Sequence, residues 1–171
     1  LDGTLSGAGP FTLFAPTDAA FNALAPGTIP ALLNDIPQLT SILLHHVASD
    51  SVMSGMLSNN QVITTANGTS VNVNISGGNV YIDNAMVTIV DLVASNGVVH
   101  VIDAVMLPPT VYDIVSNSAD HATLKTAIDA CSLDGTLSGA GPFTLFAPTD
   151  AAFNALAPGT IPALLNDIPQ L

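Results

Sequence analysis

Between residues 39 and 46 the hydrophobic residues follow the period of an α-helix. Leu39, Ile42 and Leu43 stand at positions i, i+3 and i+4, and His46 follows at i+7. Such spacing places all of them on one helix face. The pattern therefore predicts an amphipathic helix whose apolar side includes His46.

From residue 71 onward the pattern changes to the period of a β-strand. Val71, Val73 and Ile75 alternate with polar residues, as expected for a strand with one face against a core. Three dipeptides with the turn-forming residues Asn and Gly follow at short intervals: Asn67-Gly68, Gly77-Gly78 and Asn96-Gly97. The second half of this region is predicted to be an antiparallel meander.

Shorter signals mark the remaining elements. Phe11–Ala15 reads as a strand that ends at Pro16, and Thr17 is suited to cap a following helix. Two more amphipathic helices are predicted after Thr110 and after Asp120. Helices and an antiparallel sheet within one short stretch of chain predict an α+β fold, in which a layer of short helices covers the strands.

The chain contains an exact internal repeat. Residues 1–39 recur letter for letter as residues 133–171, which gives a period of 132 residues. This period is the size of a domain and predicts a tandem array of domains. With a boundary at the Pro108-Pro109 linker, residues 1–109 form a domain without its first two helices, and residues 110–171 open the next copy. We expect a segment of a longer polymer; a designed circular permutation is the alternative, although it would not need the overlap.

Charge and composition exclude several classes of partner. The 171 residues include thirteen Asp, no Glu, no Arg and the single cation Lys125, for a net charge of −12. A chain without a basic patch is a poor ligand for nucleic acid or for anionic membrane surfaces. The sequence has no apolar run long enough to span a membrane. Cys131 is the only thiol, so no disulfide forms within the chain, and its spacing places it on an apolar helix face.

The histidines are the best material for chemistry. His46 and His100 could form acid–base pairs with Asp18 and Asp103, but a histidine on an apolar helix face is more often a buried polar residue with a hydrogen-bond partner. We expect that structural role for His46 and no catalytic residue. His45 and His46 are adjacent and cannot share one ion on a helix, so no metal site and no cofactor is expected. Weak ion bridging between acidic domains stays open.

Three segments together resemble the fasciclin domain family. They are GPFTLFAPTDAAF at residues 9–21, ILLHHV at 42–47 and NGVVHVIDAVMLP at 96–108. The resemblance covers the whole period and implies a compact wedge of antiparallel strands with a helical layer, repeated in tandem. His45 departs from this resemblance because it stands where the family often has Tyr, whereas His46 takes the place of the family's histidine.

The resemblance also implies surface residues. Animal members of the family carry an Asp-Ile pair implicated in integrin binding, and the similar positions here are Asp91 and Leu92; a turn-supporting role for Asp91 is the alternative. Asn67 and Asn74 begin Asn-x-Ser/Thr triplets and are candidate glycosylation sites.

Family members are typically secreted or surface-anchored and serve adhesion or matrix binding. We therefore expect a non-enzymatic, extracellular adhesion or structural protein, most simply a segment of a fibre. Its expected partners are neighbouring identical repeats or chains, together with cell-surface proteins or glycans. A discrete carbohydrate- or protein-binding module is the alternative, although such a pocket needs aromatic lining and the chain has no Trp. A hydrolase is less expected.

Overall fold

The computed structural model describes residues 5–139 and 141–168. The chain divides between Pro108 and Pro109 into two compact units. The two units contain different secondary-structure elements, which are described in turn below.

The first unit combines a seven-stranded sheet with short helices, so the α+β class predicted from the sequence is confirmed. Its strands are β1 (Phe11–Pro16), β2 (Val47–Ala48), β3 (Val62–Thr64), β4 (Ser70–Ser76), β5 (Asn79–Ile82), β6 (Ala85–Ala94) and β7 (Gly97–Ile102). Its helices are α1 (Asp18–Asn22), α2 (Thr28–Asn34) and α3 (Ile36–His45), with a single 3-10 turn at Ser54–Met56. The strands are ordered β2-β1-β7-β6-β5-β4-β3 across the sheet.

One pairing in this sheet differs from a pure antiparallel meander. Strands β3 to β7 are joined by hairpins, but β1 lies between β2 and β7 and runs parallel to β7, with Phe11 opposite Gly97 and Phe14 opposite His100. Parallel neighbours need a long connection, and here most of the unit lies between the two strands. β1, the first strand in sequence, therefore lies inside the sheet, with β2 on one side and β7 on the other.

The core lies on one face of the sheet. In β4, Val71 and Val73 are buried while Asn72 and Asn74 are exposed, as the period-two pattern predicts. Ile75, predicted on the same buried face, is 39% exposed, so the alternation ends before the end of the strand. The main cluster joins residues from most strands: Phe14, Ala48, Val52, Leu57, Ile63, Val71, Val73, Ile82, Ala85, Ile102 and Met106. A smaller cluster links the helices to the chain after β7: Ala20, Leu32, Ile42 and Val105.

An apolar cavity of about 210 Å³ lies in the first unit. Its walls come from β1, from the three helices and from the chain after β7, and include Leu13, Phe21, Leu32, Ile42 and Val105. Most protein interiors leave few voids larger than a water molecule. The helical side of this core is therefore less completely filled than the sheet side.

The second unit is helical in its described part. Its helices are α4 (Val111–Ser116), α5 (Ala122–Ala130), α6 (Asp134–Leu137), α7 (Asp150–Asn154) and α8 (Thr160–Leu165). Thr110 and Asp113 cap α4 reciprocally, each side chain accepting from the other's backbone N–H. This capping box satisfies two donors that the helix itself leaves free.

Candidate adhesive surface and the histidine network

Asp91 occupies an irregularity in β6. The pairing of β6 with β7 shifts between Ile89 and Leu92, and Asp91 has a φ of 58°. Asp tolerates this left-handed conformation better than most residues. A β-bulge of this kind bends a strand and redirects its side chains.

Both carboxylate oxygens of Asp91 are engaged by Ser54. Oδ1 accepts from the Ser54 backbone N–H at 2.8 Å, and Oδ2 accepts from the Ser54 hydroxyl at 2.5 Å. These hydrogen bonds hold the pKa of Asp91 below its usual value, because they favour the ionised form. Asp91 therefore ties the bulge to the 3-10 turn, which is the turn-supporting geometry that the sequence left as an alternative.

His100 completes this connection from inside the protein. It is fully buried, stacks on Phe14 with ring centroids 5.8 Å apart, and its Nδ1 accepts from the Asp91 backbone N–H at 3.2 Å. Because Nδ1 accepts, Nε2 carries the proton and donates to the Val52 carbonyl at 2.8 Å. Both ring nitrogens of His100 are therefore hydrogen-bonded to the backbone, one to Asp91 and the other to Val52.

Exposed apolar side chains flank Asp91 along β6. We call Ile89, Val90, Leu92 and Val93 the β6 strip; they are 50%, 44%, 47% and 75% exposed. Single exposed apolar residues are ordinary, but adjacent ones form a patch of the kind that contacts partners. Leu92 and Val93 follow the bulge, where β6 pairs in regular register with β7.

His46 lies at the end of α3 and is 3% exposed. Its Nδ1–H donates to the Ile42 carbonyl at 2.8 Å, and its Nε2 accepts from the Met106 N–H at 2.9 Å. Burial lowers the pKa of His46, since desolvation disfavours the imidazolium. The neutral ring therefore links α3 to the chain that follows β7.

His45 is also fully buried, which the helical period did not predict. Its Nδ1 lies 2.5 Å from the Thr69 hydroxyl oxygen, and its Nε2 has no hydrogen-bond partner and stands 3.9 Å from Asp83 Oδ2. Burial lowers the pKa of His45, and the Asp83 charge opposes that shift in part. One feature of the sequence could have indicated this burial: His45 stands at the position where the family often has Tyr.

The carboxylates considered for acid–base chemistry lie elsewhere. Asp103 accepts from the Met86 backbone N–H at 2.7 Å, and Asp18 is exposed in the first turn of α1. Neither histidine is hydrogen-bonded to them: His46 and His100 each bind two backbone groups.

The two glycosylation triplets have different surroundings. Asn67 is half-buried, and its Nδ2 donates to the Ser41 carbonyl at 3.2 Å while its Oδ1 accepts from Thr65 and Thr69. Asn74 lies exposed on β4. Of the two side chains, Asn74 is therefore the more exposed, and both triplets stay predictions as glycosylation sites.

Comparison with known proteins agrees with the sheet and helix arrangement. The sequence model of the fasciclin domain matches residues 1–108 and 119–171. The chain belongs to the fasciclin domain family. Its relatives include the uncharacterized protein sll1735 of Synechocystis sp., 42% identical over 60% of this chain and 77% of that protein. Human periostin is 29% identical over 85% of this chain and 18% of its own length, so this fasciclin chain spans a small part of such relatives.

A solved structure has the same fold. It is a FAS1 domain pair from the insect cell adhesion molecule fasciclin I, with a TM-score of 0.52 and 23% identity. The alignment covers 98% of this chain and 60% of that one. The likeness shows a fasciclin fold.

Two further properties concern the described part of the chain. None of its helices is long and apolar enough to cross a membrane. Residues 5–139 and 141–168 also bring together no group of three or more His, Cys, Asp or Glu side chains able to hold a metal ion.

Proposed function

We propose that this chain is part of an extracellular, non-enzymatic protein in which identical fasciclin domains repeat in tandem and serve adhesion or structure, most simply as a fibre. The observation that carries the proposal is the exact recurrence of residues 1–39 at residues 133–171. Identical repeats display one surface many times, and linked copies gain avidity through effective concentration.

The β6 strip is the surface we assign to adhesion. It adjoins Asp91 and contains Leu92, the two positions similar to the family's integrin-binding pair, and Val93 within it is 75% exposed. Because Ser54 engages both oxygens of Asp91, apolar contact by Leu92 and Val93 supplies the binding, and Asp91 maintains the bulge that precedes them. The proposed partners are neighbouring repeats, cell-surface proteins and glycans.

The buried histidines support a non-enzymatic role. A catalytic base must reach a substrate proton, whereas His46 and His100 are 3% and 0% exposed and bind backbone groups. A discrete carbohydrate module is less favoured. The open groove at the end of β6, about 290 Å³, is lined by apolar residues such as Ala8, Met53 and Val93 together with Ser51, Ser95 and Asn96, and has no aromatic side chain.

Electron imaging of the purified native material tests the array. We expect continuous fibres with an axial repeat of one or a few domains. Discrete particles with the mass of one 171-residue chain would refute the tandem polymer.

Adhesion is tested separately with matched valines. Cells of the producing organism are allowed to attach to surfaces coated with the wild-type chain, Val93→Ser or Val62→Ser. Val62 is 61% exposed on β3 and so matches Val93 in type and exposure. We expect Val93→Ser to reduce attachment and Val62→Ser to leave it unchanged; equal attachment to all three surfaces would remove the β6 strip from the proposal.

A further inference from the structure

β6 has two parts with different neighbours. Its first two residues, Ala85 and Met86, pair with β5. From Val87 to Ala94 it pairs with β7 on one side, and no described strand pairs with this stretch on the other side. The strands concerned lie in the middle of the chain, between residues 79 and 102. We call residues 87–94 the β6 edge.

The β6 edge is accessible through its backbone and its side chains. A strand with one neighbour leaves the N–H and C=O groups on its other side without a partner in the sheet. Leu92 and Val93 are both exposed, and successive residues of a strand point to opposite faces. An edge with unpaired backbone groups and both faces accessible is a template for the addition of an extended segment.

Two features of the β6 edge disfavour pairing with the same edge of a second copy. The irregularity at Asp91 interrupts the regular spacing of the hydrogen-bonding groups, and bulges on edge strands protect them in this way. Two β6 edges side by side would also bring two Asp91 carboxylates into one short sheet, between chains that each carry a net charge of −12. The repulsion becomes attraction when the incoming strand is basic.

Charge therefore indicates which strand fits. Lys125 is the only Lys or Arg of the chain, and its Nζ lies 2.6 Å from Asp129 Oδ2. The two hydrogen bonds that Asp91 accepts come from Ser54, which is neutral, so they leave the charge of the carboxylate in place. A carboxylate can accept more hydrogen bonds than these two. A Lys or Arg on an incoming strand supplies a countercharge for Asp91.

We propose that the β6 edge binds an extended segment of another protein, which adds as a further strand beside β6, packs apolar side chains against the β6 strip and places a Lys or Arg beside Asp91. The inference rests on the adhesive role proposed for the β6 strip and specifies how that surface is used. Backbone hydrogen bonds supply the affinity in this mode of binding, and alternate side chains supply the specificity.

A synthetic peptide tests strand addition directly. The probe is a capped, fluorescently labelled peptide of sequence Val-Thr-Val-Lys-Val-Thr-Val, and fluorescence anisotropy measures its binding to the full chain. Amide hydrogen exchange, followed by nuclear magnetic resonance, then locates the bound peptide. We expect saturating peptide to slow exchange at the open side of residues 87–94 by about tenfold or more. Exchange in β3, the last strand of the sheet order, should stay the same.

Two matched comparisons separate strand addition from simple attraction between charges. The same peptide N-methylated at two adjacent central residues keeps its charge and side chains but loses a backbone donor on each edge, so it should bind about tenfold more weakly. Asp91→Asn keeps the shape of the side chain and should weaken binding of the unmodified peptide by up to about fivefold. Asp18→Asn removes the same charge beyond the end of β1 that lies opposite Ile102, and should leave binding unchanged.

Four results would each overturn the proposal. They are failure of the peptide to slow exchange along the β6 edge, equal binding of the N-methylated peptide, equal effects of Asp91→Asn and Asp18→Asn, and slowing of β6 exchange by protein concentration alone, which indicates pairing with a second copy. Cell attachment to Val93→Ser is a separate measurement. If it falls while the peptide leaves β6 exchange unchanged, adhesion by the β6 strip stands and strand addition fails. If attachment is equal on all surfaces while the peptide binds as expected, strand addition stands and the adhesive role fails.

Discussion

Gly97 offers a sharp test of how closely β1 and β7 approach. A Cβ added at Gly97 would lie 2.2 Å from the carbonyl oxygen and 2.9 Å from the carbonyl carbon of Phe11. Both atoms belong to backbone, and the Phe11 N–H is also held by the Asn96 carbonyl at 3.0 Å. The methyl group added by Gly97→Ala can therefore be accommodated only if β1 and β7 move apart.

The expected cost is that of overpacking in a rigid place, about 2–3 kcal/mol of unfolding free energy. With a urea m-value of about 1–2 kcal/mol/M for a domain of this size, the midpoint should fall by roughly 1–3 M at unchanged m. Far-ultraviolet circular dichroism during urea titration measures this, since the chain has no Trp.

Gly55→Ala is the matched control. Gly55 has no positive φ and no atom within 4 Å of an added Cβ, so the change should be neutral or stabilise by up to about 1 kcal/mol through the unfolded chain. If Gly97→Ala unfolds at the same urea concentration as wild type while Gly55→Ala behaves as expected, the close approach of β1 and β7 is wrong.

The remaining predictions concern burial, pH and capping. In dilute solution, Phe14→Ala should lower the unfolding free energy by about 3–5 kcal/mol, and Phe146→Ala should change it by less than about 0.5 kcal/mol; urea titration measures both. Burial lowers the pKa of His45 and His46, so the unfolded chain binds protons at higher pH than the folded one. Stability should therefore be full above about pH 6.5 and fall as pH drops through that value, as urea midpoints across the range will show. Thr110→Ala removes the capping box and should cost about 0.5–2 kcal/mol, seen as faster amide exchange in α4.

Local sequence predicted the features that depend on a few neighbouring residues. Thr17 caps α1 by accepting from Ala20 N–H, and Thr110 caps α4, both as expected from residue type. The turn at Gly77-Gly78 joins β4 and β5 as predicted. These turns and caps are satisfied by hydrogen bonds within four residues, so local sequence was sufficient to predict these three.

Features that depend on distant partners were not predicted. The predicted turn at Asn96-Gly97 is present but lies one residue earlier, at Ser95-Asn96. Gly97 opens β7, where the approach of β1 requires a residue without a side chain. The Asp83-Asn84 hairpin between β5 and β6 was missed, although Asp83 takes the left-handed φ of 50° that its residue type tolerates. His45 is buried by the Thr69 turn, which lies 24 residues away in sequence.

The duplicated stretch, residues 1–39 and 133–171, shows within one molecule which features depend on local sequence and which depend on distant partners. Thr149 caps α7 as Thr17 caps α1, with φ of −73° in both, because the cap needs only the helix that follows it. Phe14 and Phe146 differ in exposure by almost the whole side chain, because a strand needs neighbours to pair its backbone groups. In this chain, substitutions at the caps should therefore affect both copies alike, whereas the same substitution at the strand positions should affect stability at Phe14 and not at Phe146.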